Sequence, residues 1–161
     1  MKVMNRDTGQ TGYSLPELNI RRVFNVGEIK ELKEEEILAL YNTDAGRLML
    51  SHILQVQNKE FVIKNIWPDA PIEYFWTKEQ IIKCLMEDSP ELFAETLDYA
   101  PEGVINILKD LAWRTPITDL NKVQIMRQKL GFDPIKAHEV MTKQAPETKS
   151  ERKGGRLRKE D

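Results

Sequence analysis

The side chains able to run a reaction are few in this chain. Two histidines, His52 and His138, and one cysteine, Cys84, are the whole stock of imidazole and thiol groups. Neither histidine has a second ligand at i+3 or i+4, the spacing that would set two donors on one helix face, so no metal centre is expected. Cys84 falls in the apolar register of a helix, where a thiol stays protonated and a poor nucleophile. With no second cysteine there is no internal disulfide, which suits a reducing compartment. Neither GxxxxGK[ST] nor GxGxxG occurs, and Gly9-Gln10-Thr11-Gly12 and Gly154-Gly155 read as turn and linker glycines. Asp98 and Glu102 flank Pro101, but they read as a helix cap and a first-turn acid rather than a catalytic pair. The expectation is a protein that is not an enzyme, with no catalytic, metal or cofactor-binding residue and no small-molecule substrate.

The elements that hold these residues have two textures. Residues 1–32 carry strand and turn signals: Asp7-Thr8-Gly9 and Thr11-Gly12 supply turns, and Arg22-Val23-Phe24 favours extended backbone. Val26-Gly27-Glu28 makes a further turn. Two to four short strands, or a small hairpin sheet, are expected. Residues 33–76 follow as a helix pair and an aromatic connector. KEEEILALYN places Glu34, Glu35 and Glu36 in a first turn, where carboxylates answer unpaired amides and the positive end of the helix dipole. Asp44 is expected to cap a second, antiparallel helix carrying Leu48, Met49, His52 and Ile53. Phe61-Val62-Ile63 reads as a strand. In WPDAPIEYFW, Pro68 and Pro71 bar a helix, so the rings hang on an extended segment. Trp67, Tyr74, Phe75 and Trp76 either clamp the first half onto the second or form a partner-facing patch.

Residues 77–145 read as a compact bundle of about five short helices, packed with the preceding parts as one domain. Thr77 with Gln80 makes a capping box ahead of an apolar face of Ile81, Ile82, Leu85 and Met86. Ser89-Pro90 and Pro101 start two more helices, because proline at a first helical position gives up an amide that has no partner there. In the second of these, Val104, Ile105, Leu108, Leu111 and Ala112 form the packed side and Glu102, Asn106, Lys109 and Asp110 the polar one. Thr118 or Asp119 caps the next helix and Gly131 ends it. Asp133-Pro134 opens the last one, through about Lys143. The predicted fold class is α+β, mainly α.

The 161 residues, 40% hydrophobic, suffice for one core. A net charge of −2 sets up no general field for nucleic acid or an anionic membrane. No window holds the roughly 18 consecutive apolar residues of a membrane span, and MKVMNRDTGQ lacks the apolar stretch of a signal peptide, so a cytoplasmic location in the host cell is expected. Residues 146–161 are charged and poor in apolar groups, the composition of a disordered tail. Arg152, Lys153, Arg156, Arg158 and Lys159 in that tail are candidate contacts for nucleic acid or an acidic partner. An alternative function follows from them: a nucleic-acid-binding or regulatory module, with the helices around 119–143 arranged loosely like a helix-turn-helix. The preceding body, with 18 basic and 22 acidic residues through Ala145, opposes that approach except through the tail.

In order, TGQTGYSL, LNIRRVFNVGE, the KEEEILAL helix, PIEYFW, LDYAPEGVINILKDLA and LGFDPIKAHEV resemble a family of small proteins encoded by phages and prophages of Firmicutes. The likeness covers residues 5 to about 143. It implies a virion structural or assembly component, a possible place in the virion itself, and protein partners or self-assembly; it carries over no catalytic residue. It also draws attention to Arg21 and Arg22, which would pair either with acids on a neighbouring subunit or internally with the glutamates at 34–36.

Overall fold

A computed structural model describes residues 1–144. The tail, with Arg152, Lys153, Arg156, Arg158 and Lys159, lies outside the described residues. The observed class is α+β, with antiparallel strands at the N-terminus followed by mostly helical chain. Among the described residues, no helix is long and apolar enough to cross a membrane.

Strand β1 (Lys2–Asn5) is the middle of a three-stranded antiparallel sheet, flanked by β4 (Ile29–Glu31) and β5 (Leu54–Val56). Val3 faces Lys30 on one side and Val56 on the other. Between β1 and β4, β2 (Thr11–Leu15) and β3 (Ile20–Phe24) form a separate hairpin in register from Thr11↔Phe24 to Leu15↔Ile20. Its turn is a short 3-10 stretch, Pro16–Leu18, closed by Asn19 at φ 52°, a left-handed backbone that asparagine tolerates.

Helix α1 (Glu34–Tyr41) follows, and α2 (Asp44–Leu48) packs against it. Thr43, one residue before the expected cap, accepts the Gly46 amide, and Asp44 is the first helical residue. The expected second helix does continue to Ile53, though not as an α-helix throughout. It widens into a π turn over Met49–Ile53, and the chain then leaves as β5, a strand the periodicity does not reveal because Leu54 and Val56 also fit a helical pattern. Phe61-Val62-Ile63 is not a strand. It lies in α3 (Lys59–Asn65), because Asn58 accepts the Phe61 amide and starts a helix that buries Phe61 and Val62. The expected extended aromatic segment is likewise a tight 3-10 turn over Ile72–Phe75, entered through Pro71.

The rest is five helices: α4 (Lys78–Met86), α5 (Pro90–Tyr99), α6 (Glu102–Arg114), α7 (Leu120–Leu130) and α8 (Pro134–Gln144). Thr77 and Gln80 form the reciprocal capping box, Ser89 caps α5, and Asp119 accepts two amides of α7. Asp98 caps nothing; it lies in the last turn of α5 and meets Lys129 at 2.5 Å. On α4 the buried face is Ile81, Cys84 and Leu85, while Ile82 and Met86, expected inside, are exposed. Two apolar clusters result. One gathers Val3, Phe24, Ile37, Leu50, Leu54, Val62 and Tyr74 from the first half; the other gathers Ile81, Cys84, Leu85, Phe93, Leu108 and Met126 from the second.

Candidate functional site

The two clusters meet at the end of the π turn. Every helical end leaves carbonyl groups without amide partners, and buried ones must be bonded some other way. Here the carbonyls of Leu50, Ser51, His52 and Ile53 are all taken. The Tyr74 hydroxyl donates to Leu50 (2.9 Å), Arg6 Nη2 to Ser51 (3.2 Å), Arg6 Nε to His52 (3.4 Å), and the Arg6 amide to Ile53 (3.2 Å). Arg6 Nη1 reaches on to the Tyr74 carbonyl at 2.6 Å, which also accepts from Gln55 Nε2 at 2.9 Å. The Tyr74 hydroxyl in turn accepts the Val56 amide, and the Arg6 guanidinium lies 4.4 Å from the Tyr74 ring centre.

Arg6 is buried, and among the described residues it has no carboxylate within 4.0 Å. Carbonyl dipoles at the negative end of a helical segment solvate this charge without neutralising it. Burial pulls its pKa down to about 10, and the adjacent Tyr74 pushes the other way.

Helix α6 seats on this same turn. The Glu102 amide donates to His52 Nδ1 at 3.2 Å, and a Cβ on Gly103 would stand 2.4 Å from the His52 carbonyl oxygen, so only glycine fits. One turn on, Asn106 Nδ2 donates to Asp7 Oδ1 at 2.9 Å. Asn106, expected on a solvent face, therefore joins the halves. Beyond it the elements part around a cleft of about 360 Å³, walled by Met4, Val26, Trp76, Ile81, Ile107 and Leu111. Arg6, Asp7, Lys78, Asp110 and Arg114 supply its charged groups.

The aromatic residues of the connector do different things. Tyr74 is buried, with Trp67 edge-on at 6.2 Å and Phe75 at 4.9 Å between ring centres. Trp67 and Phe75 pack on the first cluster, and Trp76 packs on the second and walls the cleft. The connector thus touches both halves.

Arg21 and Arg22 lie on β3, away from the cleft. Arg22 is bonded within the chain: Nε and Nη2 fork onto the Glu36 carboxylate at 2.8 and 3.0 Å, and the Tyr13 hydroxyl donates to the same group at 2.7 Å. Arg22 is therefore occupied internally rather than held out to a neighbouring subunit. Arg21 is exposed. The Arg22 fork lowers the Glu36 pKa against the opposing effect of burial, while burial first and the Glu36 hydrogen bond second raise that of Tyr13. Glu36 is thus more than a helix-start signal; it ties the hairpin to α1.

Cys84 is buried and its thiol pKa is pushed up to about 11 by burial. His138 bonds the Trp113 carbonyl through Nδ1 at 2.9 Å, far from His52 in the chain and on a different helix. Among the described residues no group of three or more His, Cys, Asp or Glu side chains is arranged to hold a metal ion. The seat of Arg6 and the cleft beside it are invisible to motif reading. The only sequence traces are a charged Arg6-Asp7 pair just after a short strand and a glycine one residue inside a helix.

Comparison with protein-family models, with curated proteins and with solved structures found no match.

Proposed function

We propose that this chain is a non-catalytic binding and assembly protein that joins protein partners or further copies of itself. One observation carries the reading. Among the described residues every buried side-chain nitrogen and oxygen has a hydrogen-bond partner, whereas large apolar side chains stand in solvent. Leu120 is 72% exposed, Ile72 69%, Leu48 64% and Tyr99 63%. Polar groups committed to holding the body together, with apolar groups left outside, suit a rigid body that offers surface to others. The narrower assignment, a structural or accessory component of a bacteriophage particle, is supported by the likeness of the TGQTGYSL, PIEYFW and LDYAPEGVINILKDLA segments to that family.

Light-scattering mass measurement over a range of concentrations, repeated with capsid and other virion proteins added, tests the reading. A self-associated species or a stable mixed complex is expected. A chain that stays monomeric throughout and is missing from purified particles would sink it.

A further inference from the structure

The cleft between the halves has the size and the unbalanced charge of a ligand site. Its volume of about 360 Å³ lies in the range of about 300 to 1,000 Å³ usual for small-molecule pockets. The walls are apolar, with Val26, Trp76 and Ile107 facing the space from both halves. Its acids are engaged already. Asp7 Oδ1 accepts from the Thr8 amide at 2.8 Å and from Asn106 at 2.9 Å, and Asp110 pairs with Arg114 at 3.1 Å. Of its cations, only Arg114 is paired with an acid among the described residues. Lys78 has no acid within 4.0 Å among the described residues, and neither has Arg6. Arg6 donates three side-chain N–H bonds to carbonyls, which leaves two of the five a guanidinium carries. A buried cation held only by dipoles, on the wall of a space that opens to water, attracts a full negative charge more strongly than an exposed one does.

We infer that this cleft binds a small organic anion: a flat apolar body between Trp76, Ile107 and Val26, with its acid group on the side of Arg6 and Lys78. A free aromatic or aliphatic carboxylate, sulfonate or phosphate monoester has this chemistry. The site is independent of the exposed apolar residues that support the assembly reading, so either can fail alone.

The test uses the full chain and two probes that share one ring system. The first is 1-anilinonaphthalene-8-sulfonate, an anion; the second is N-phenyl-1-naphthylamine, which is uncharged. The sulfonate is expected to bind one per chain with a blue-shifted emission. Val26→Trp, at an exposed position that lines the cleft, fills the space and weakens both probes by about tenfold or more. Lys78→Glu, at the exposed first residue of α4, weakens the sulfonate by about tenfold and leaves the neutral amine within about twofold. Far-UV circular dichroism checks that both variants are folded. In the unmodified chain, the indole N–H resonance of Trp76 should shift with the sulfonate while those of Trp67 and Trp113 hold still. No binding, binding that Val26→Trp leaves intact, equal loss of both probes in Lys78→Glu, or a shift at Trp67 or Trp113 instead of Trp76 would each overturn the inference.

Discussion

Two buried cations, Arg6 in the first half and Lys122 in the second, meet one physical problem in different settings. Neither has a carboxylate within 4.0 Å among the described residues, and each ends on carbonyls that a helical segment leaves unpaired. Lys122 Nζ reaches Leu85 O at 2.8 Å and Cys84 O at 3.4 Å in the last turn of α4, with the Phe93 ring centre 5.6 Å away. It fastens α7 to α4 inside a single apolar cluster. Arg6 takes three carbonyls through its side chain and a fourth through its amide, and it does so where the two clusters meet and beside a cleft. A point charge on a flexible stem suffices to cap one helix; the planar fork of arginine serves three acceptors in different directions. The difference between a local fastener and a central joint is therefore already present in the choice of lysine or arginine.

Substitution breaks the comparison most directly. Arg6→Ala strands the Ser51 and His52 carbonyls, leaves the Tyr74 carbonyl to Gln55 alone and empties the space beneath the cleft, and the expected loss is about 3 to 5 kcal/mol in urea unfolding. Lys122→Met keeps an apolar stem of similar reach and gives up only the ammonium, for an expected loss of about 1 to 3 kcal/mol. Equal losses from the two would remove the distinction drawn between joint and fastener.

The network of Arg22, Tyr13 and Glu36 sharpens it from outside, since here a buried charge does have an ionic partner. The folded pKa of Glu36 lies below its unfolded value, chiefly through the Arg22 fork. A depressed carboxyl adds stability that is present above the unfolded pKa of about 4.3 and is lost as pH falls through the folded value. Arg22 is partly exposed, with 38% of its side chain accessible, so solvent screening trims the pair. Glu36→Gln should therefore cost about 1 to 2 kcal/mol at pH 7, with most of that from hydrogen bonds to a charged acceptor. The gap between variant and parent should close as pH falls below the ordinary carboxylate range. A gap that stays constant with pH in urea titrations would show that the charge of Glu36 is not what ties the hairpin to α1.

What could be read ahead of the structure divides along the same line. The helix corners were legible because each is a local event: Thr77 with Gln80, Ser89 before Pro90, and Asp119 before α7 all bond amides within three residues. The joint was not legible, because its bonds cross long stretches of chain. Arg6 meets Tyr74 68 positions away, and Asp7 meets Asn106 99 positions away. Two of the misread segments fail for related reasons. Leu54-Gln55-Val56 is a strand only because β1 stands beside it, and Phe61-Val62-Ile63 is helical because the Asn58 cap outweighs the β preference of two branched residues. The sequence leaves both partners of Arg22 open, and the one adopted is Glu36, 14 residues on. The cleft left no trace in the pattern, since its walls come from residues that each look like ordinary core.

The smallest effect separates a corner from the joint. Gly103 and Gly131 both sit at helix ends, but for opposite reasons. At Gly103 the backbone is ordinary and the obstacle is the His52 carbonyl; at Gly131 nothing lies within 4 Å of an added Cβ, and the obstacle is φ +60°. Gly131 closes α7 in the left-handed conformation, its amide bonded to Met126 O. Gly131→Ala should therefore cost only the left-handed penalty of a side chain, about 1 kcal/mol, and leave the packing of α7 and α8 as it is. Thermal melting should show a shift of a few degrees for a chain of this size, with the Trp76 resonance and probe binding at the cleft unchanged. A much larger loss would mean that the turn between α7 and α8 is tied to the joint, and that the corners of the bundle are not the independent local devices their capping bonds describe.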